Sequence, residues 1–247
     1  MQGNEWFRLW FSSPYYDLLY QNRNNEEAAK LIDKLTSYLQ IPADSFILDA
    51  ACGKGRHSIA LAAKAFDVTG VDICPTAIAK AKQFETNNLH FYVHDLRLPF
   101  YINYFNYVFN FFTSFGYFRT MREHNDALRT ITQSLKPNGV FVLDYLNVYV
   151  AEQNLQAKES KEINNVLFDI ERTTDAQYFY KSIDIKDAAA NVNETFTERV
   201  EKFSLDDFKE MLSRQGLQTE HVFGDYDLND YDEKKSQRMI IVSRKVR

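Results

Sequence analysis

Apolar residues along this chain follow two rhythms. Short, nearly unbroken apolar runs begin at Phe46, Val68, Leu89, Phe105 and Val140 and read as strands buried on both faces. Between them lie segments with apolar residues at helical spacing, the clearest being 25–39, where Ala28, Leu31, Ile32, Leu35, Tyr38 and Leu39 share one face. Glu26 and Glu27 occupy the first turn of that helix and Pro42 follows its end, as helix boundaries favour. Further helices are predicted over 56–65, 75–84 and 123–135. Strand and helix in alternation predict an α/β fold around a parallel sheet. The rhythm changes at about Ala151. From there to residue 202, Ile163–Arg172, Tyr178–Ile185 and Thr195–Phe203 read as successive antiparallel strands separated by Asp-, Asn- and Ala-rich turns. A capped helix over 204–215 and strands at Leu217–Phe223 and Arg238–Ser243 then resume the first pattern, so 151–202 is an insertion.

The first strand carries the most chemistry. It reaches a carboxylate at Asp49, passes through Ala50-Ala51-Cys52-Gly53-Lys54-Gly55, and enters a helix at Arg56. Small residues allow close approach of a ligand to backbone, and free N–H groups at a helix start favour polar or anionic groups. A nucleotide-like ligand is the first expectation. The dinucleotide fingerprint needs a third glycine where this chain has Ser58, which counts against a nicotinamide-dependent oxidoreductase without removing it as an alternative. The second strand also ends in an acid, Asp72, placed to accept hydrogen bonds from ribose hydroxyls beside the first loop. A helix cap or solvated carboxylate is the plainer reading of either acid taken alone, and a local turn is the plainer reading of Asp95 after the third strand.

Composition narrows the classes. The chain has 247 residues, 45% hydrophobic and 26% charged, enough for one α/β domain with an insertion. Net charge is −5 and no run of Lys and Arg forms a stripe that could track phosphates, so nucleic acid is not an expected partner. Cys52 and Cys74 have no metal-ligand spacing and no disulfide framework; no metal is expected and a reducing, cytoplasmic setting fits them. No apolar stretch is long enough to span a membrane, and no secretion signal is evident. Aromatic residues make up 15% of the chain and concentrate in 6–20 and 109–118, the first broken by Ser12-Ser13-Pro14. The N-terminal cluster reads equally as a clasp on the core or as a lid.

Asp49 followed by Ala51, Gly53 and Gly55 at alternate positions, then Asp72, Asp95 and the turn Lys136-Pro137-Asn138-Gly139, together resemble the ordered motifs of the class I S-adenosylmethionine (SAM) methyltransferases. The family usually has glycine where this chain has Ala51, aspartate where it has Asn106, and a second glycine where it has Asn138. The resemblance covers about 44–143 and 203–247. It implies a Rossmann-like seven-stranded sheet whose last strand is antiparallel, with the insertion as a small antiparallel β cap. It implies SAM as cofactor, held by Asp49, Ala51, Cys52, Gly53 and Gly55, by Asp72 and Ile73 at the ribose, by Asp95 and Leu96 around adenine, and by Asn110 and Phe111 in the loop after the fourth strand. It also favours residues 1–24 as a lid and 151–202 as a substrate cap, similar in placement to that of amino-sugar N-methyltransferases; added core or a dimer contact is the alternative for the insertion.

The expected reaction is in-line methyl transfer to N, O or C of a small-molecule acceptor, in which the protein supplies orientation and, for a protonated nucleophile, a base. Candidates to orient the acceptor or take its proton are Tyr15, Tyr117, Asp144 and Tyr145, with Tyr16, Tyr20, Phe115 and Asn147 as further acceptor-side residues. A SAM-binding scaffold without transfer activity is the alternative function. The oligomeric state is open, with a homodimer among the options.

Overall fold

The computed structural model describes residues 6–21 and 25–246; expectations for 1–5, 22–24 and 247 lie outside the described residues. The chain divides into two compact units, one built from 25–150 and 203–246, the other from 6–21 and 151–202.

The larger unit is the alternating α/β part. Its strands are β1 (Phe46–Ala50), β2 (Asp67–Asp72), β3 (Leu89–Val93), β4 (Phe105–Asn110), β5 (Leu135–Leu146), β10 (Leu217–Phe223) and β11 (Arg238–Lys245). They form one sheet in the order β10-β11-β5-β4-β1-β2-β3. β1 through β5 pair in parallel and β11 runs antiparallel to both neighbours, as expected. Helices α3 (Asn25–Tyr38), α4 (Arg56–Ala62), α5 (Pro75–Ala81), α6 (Met121–Ser134) and α8 (Leu205–Arg214) accompany these strands. Central strands buried on both faces explain the unbroken apolar runs: Ile47, Val68, Val71, Val108, Phe109, Phe141, Val142 and Leu143 are all sealed from solvent.

Chain order reverses between β4 and β1, so the crevice at the carboxyl ends of these strands is the topological switch point where open α/β sheets bind ligands. Asn106 ties β1 and the start of β5 to β4 without a charge: its side-chain oxygen accepts from Phe46 N at 3.0 Å and Lys136 Nζ at 3.1 Å. Asn138 adopts φ of 62°, the left-handed backbone that asparagine tolerates.

The smaller unit holds a four-stranded antiparallel sheet, β6 (Lys158–Ile163), β7 (Val166–Thr174), β8 (Tyr178–Asp187) and β9 (Val192–Glu201), where the sequence pattern shows three strands. β6 escaped the pattern because Lys-Glu-Ser-Lys-Glu-Ile is a charged edge, the composition that protects an edge from further pairing. Val166, Phe168 and Ile170 with Ile183 and Ile185 alternate onto one face. That face packs with Trp10, fully buried, from α1 (Trp6–Phe11), which is followed by α2 (Pro14–Leu19). Short α7 (Val148–Gln153) leads from β5 toward the insertion. The N-terminal aromatics thus have a defined structural role: they complete the core of the inserted sheet.

Candidate active site

The loop after β1 and the tip of β2 are tied together through backbone. Cys52 N donates to Val71 O at 2.9 Å, and Gly53 N donates to Asp72 Oδ2 at 2.8 Å, while Cys74 N occupies Asp72 Oδ1 at 2.8 Å. Residues Ala51, Gly53 and Gly55 have φ of 64°, 57° and 83°, so the alternate small positions of the motif are the left-handed ones.

The two glycines do different work. A Cβ built on Gly53 meets no atom within 4 Å, whereas one on Gly55 falls 2.5 Å from Phe91 Cζ and one on Gly70 falls 2.6 Å from Phe91 Cδ1. Gly55 and Gly70 are small so that Phe91 can pack. Gly53 faces open space.

Asp49 is fully buried, and Ser58 Oγ donates to its Oδ2 at 2.6 Å. Burial pushes its carboxyl up to about 6, against the Ser58 hydrogen bond and with help from the charge of Asp72. Burial likewise raises Asp72 and drives the Cys52 thiol well up, so that Cys52 is a packing residue and no nucleophile. Asn110 is sealed at the end of β4; its Nδ2 donates to Ala50 O at 2.8 Å and its Oδ1 has no partner. An open glycine, an orphaned buried acceptor and a carboxylate at the tip of β2 suit a polar, cationic nucleoside ligand such as SAM.

Past β3, His94 N donates to Asp72 O at 2.9 Å, which ties the Asp95 loop to the tip of β2. Asp95 is held as a fork by Arg97, with Nη2 to Oδ2 at 2.6 Å and Nε to Oδ1 at 3.0 Å. Leu96 is half-buried and its carbonyl accepts from Thr130 Oγ1; Ile73 is half-buried beside Asp72.

Several residues nominated from sequence have other roles. Phe111 is buried and stacks on Phe109 at 5.2 Å and against His57 at 4.5 Å. The exposed ring of this loop is Phe112, at 37%. Phe115 and Tyr145 are fully buried in one aromatic cluster with Phe203 and Phe208, so neither presents a face to a ligand. Asn147 secures a loop, its Nδ2 donating to Glu233 O at 2.7 Å and Ser236 O at 2.8 Å.

Asp144 is fully buried and both its oxygens are engaged: Oδ1 pairs with Arg238 at 2.7 Å, and Oδ2 accepts from Phe112 N at 2.7 Å and Tyr226 OH at 3.1 Å. A carboxylate so occupied is a poor general base. Of the two nominated phenols in this unit, Tyr145 is sealed and Tyr117 is half-buried. In the smaller unit, Tyr15 OH donates to Asp187 Oδ2 at 3.1 Å and is raised by burial and by that carboxylate. Tyr20 OH donates to Glu198 at 3.0 Å, and Tyr16 packs edge-on to Trp10 at 5.4 Å. Arg238, Tyr226 and Phe112 were missed in the sequence; the signal available for Arg238 was a charge opening an apolar last strand.

A methyltransferase-domain family profile matches residues 47–139, the segment that carries β1 through the turn into the apolar part of β5. Over those residues the chain carries a methyltransferase domain, and the fold around it is that of solved SAM-dependent methyltransferases. YqeM of Bacillus subtilis (strain 168), which carries a methyltransferase name, is 25% identical to this chain over 209 residues, 78% of this chain and 83% of its own. The dTDP-3-amino-3,4,6-trideoxy-α-D-glucopyranose N,N-dimethyltransferase of Streptomyces venezuelae is 31% identical over 134 residues, 52% of this chain and about half, 54%, of that enzyme. Among solved structures, SAM-bound CalS10, an amino pentose methyltransferase from Micromonospora echinaspora, superposes with a TM-score of 0.70 at 20% identity, covering 94% of this chain and 97% of its own. Shorter matches, 65 residues or 26% of this chain, fall on RNA methyltransferases of Staphylococcus aureus. Among the described residues no helix is long and apolar enough to cross a membrane, and no cluster of His, Cys, Asp and Glu is arranged to hold a metal.

Proposed function

We propose that this methyltransferase binds SAM across the carboxyl ends of β4, β1, β2 and β3 and methylates a small-molecule acceptor, with an amine as the leading nucleophile. The observation that carries the cofactor assignment is the Gly53–Asp72 corner, where open space, a left-handed glycine and a backbone-braced carboxylate coincide. SAM supplies an activated methyl group on a sulfonium. This chain's residues supply its seat: Asp72 for the ribose hydroxyls, the Asp95–Leu96 loop for adenine, and Asp49 with Asn110 for the ammonium of the methionine end.

The acceptor class rests on three supports. The relatives named for amino-sugar methylation span most of the fold or half the chain, the RNA-enzyme matches cover from about a quarter to 39% of it, and the net charge of −5 offers no phosphate-tracking stripe. We assign residues 1–24 and 151–202, of which 6–21 and 151–202 share one unit, to acceptor selection, with Tyr16 and Tyr20 among the residues that shape it. With Asp144 engaged, catalysis proceeds by orientation and desolvation, and we assign Tyr117, the half-buried phenol of this unit, to guiding the nucleophile.

Calorimetric titration with SAM, S-adenosylhomocysteine and NADH tests the cofactor site. Wild type binds the first two, and Asp72→Ala loses about a hundredfold in SAM affinity, the worth of two hydrogen bonds to a charged group. Binding of NADH in their place would overturn the reading. Transfer of label from methyl-labelled SAM to a panel of amines, amino sugars included, then tests the acceptor; label appearing only in added RNA would replace the small-molecule assignment.

Asp49 predicts a pH dependence. Its folded-state pKa is raised to about 6, so protonation of the free protein stabilises the fold, and that contribution is lost as pH rises from about 4 to 6. A cationic ligand needs the ionised form. SAM affinity therefore falls about tenfold per pH unit below 6, and binding there releases a proton, measurable as a heat that changes with buffer ionisation enthalpy. Asp49→Asn should flatten both responses; a pH-independent affinity in wild type would remove Asp49 from the ligand's surroundings.

A further inference from the structure

The loop after β4 contains two consecutive non-glycine residues in the left-handed region, Phe112 at φ 62° and Thr113 at φ 56°. Each costs of the order of 1–2 kcal/mol, and for the β-branched Thr113 the conformation is a clear outlier. Such strain persists only where surrounding groups impose it, and it concentrates at functional sites.

The groups that impose it are specific. Asp144 accepts from Phe112 N at 2.7 Å through its side chain and from Thr113 N at 3.0 Å through its carbonyl. Arg238, paired with Asp144, donates to Thr113 Oγ1 at 2.9 Å, and Tyr226 OH donates to Asp144 at 3.1 Å. The result turns Phe111 inward and leaves the ring of Phe112 outward, flanked by Arg56 at 5.2 Å and Arg238 at 5.8 Å from its centroid. Arg56 opens α4, directly behind the Gly53–Gly55 loop.

Strand order supplies the direction. The sheet edge runs β5, β4, β1, β2, β3. A ligand with ribose at Asp72 on β2 and adenine at Asp95 beyond β3 extends its methionine end toward β1 and β4, where Phe112 stands. We propose that Asp144, Arg238 and Tyr226 form a clamp that holds Phe112 and Thr113 in this turn and presents the Phe112 ring to the sulfonium end of bound SAM. Phe112 is then the ligand-touching residue, and Asp144, Arg238 and Tyr226 are positioning residues that act through it. The proposal rests on the cofactor site described above.

The test compares SAM with S-adenosylhomocysteine, which lacks the methyl group and the positive charge. A ring beside the sulfonium favours SAM selectively, whereas a loosened fold weakens both ligands alike. Phe112→Asn removes the ring and keeps a residue that accepts left-handed backbone; Tyr226→Phe keeps the ring and removes one bond of the clamp. In each variant the ratio of SAM to S-adenosylhomocysteine affinity falls about fivefold by calorimetry, and in the double variant it falls no further, because both act through one ring. Thermal melts confirm that the variants are folded. An unchanged ratio in Phe112→Asn, an unchanged ratio in Tyr226→Phe, or additive losses in the double variant would overturn the clamp. Wild type that fails to bind SAM, or binds it undiminished in Asp72→Ala, would instead overturn the cofactor site itself.

Discussion

Arginine at position 53 abolishes SAM binding and leaves the protein folded. Gly53 has a φ of 57°, and the space in front of its missing Cβ is empty to 4 Å, so the new side chain starts without a clash and extends into the space proposed for the cofactor. The backbone penalty of a non-glycine residue there is about 1–2 kcal/mol, a small part of the stability of a chain this size. Calorimetry should show no SAM heat in Gly53→Arg while its melting temperature falls by only a few degrees. Gly55→Ala is the contrasting variant. Its methyl would lie 2.5 Å from Phe91 Cζ at a φ of 83°, so overpacking and backbone strain together cost about 2–4 kcal/mol, and the deficit appears in the melt before it appears in the ligand. SAM binding to Gly53→Arg at wild-type affinity would mean that the open space beside the loop belongs to something other than the cofactor.

That contrast shows where sequence reading stops. Both glycines belong to one motif, and spacing alone treats them alike; the difference arises from Phe91, which reaches Gly55 and not Gly53 from β3 only after the sheet has assembled. The parallel sheet was legible because each central strand is apolar on both faces, and Asp49 and Asp72 were legible because an acid ending such a run stands out. The aromatic loop after β4 was not. A strand-like alternation carried past Asn110 gives no warning that the backbone turns left-handed at Phe112, and the turn is what sends Phe111 to the core and Phe112 to the surface. Its cause lies far away in the chain: Asp144 is bound by Arg238, whose partner no local pattern could name. Tyr145, Phe115 and Asn147 were misplaced for a related reason. They sit near the carboxyl edge in sequence, but α8 with Phe208, and the loop at Glu233 and Ser236, come back from the C-terminal part of the chain and bury them.

Arg238→Ala carries the largest expected loss of stability. The guanidinium is the only cation paired with Asp144 among the described ion pairs, and that carboxylate is fully buried. Removing one member of a buried pair leaves the other charge without compensation and typically costs about 3–5 kcal/mol. Phe112 N and Tyr226 OH continue to donate to Oδ2, which places the loss toward the lower end of that range. For a chain of this length, about 3 kcal/mol lowers the melting temperature by about 6–12 °C. Salt should change the difference little, because the pair is shielded from solvent ions. Asp144→Asn in the same background removes the stranded charge and keeps an oxygen for the two remaining donors, so the double variant should melt above Arg238→Ala. If the double variant melts lower, the losses are independent and the pair is not the unit that holds this end of the sheet. If Arg238→Ala melts like wild type, the strained turn at Phe112 and Thr113 is being held by something other than Asp144 and its partners.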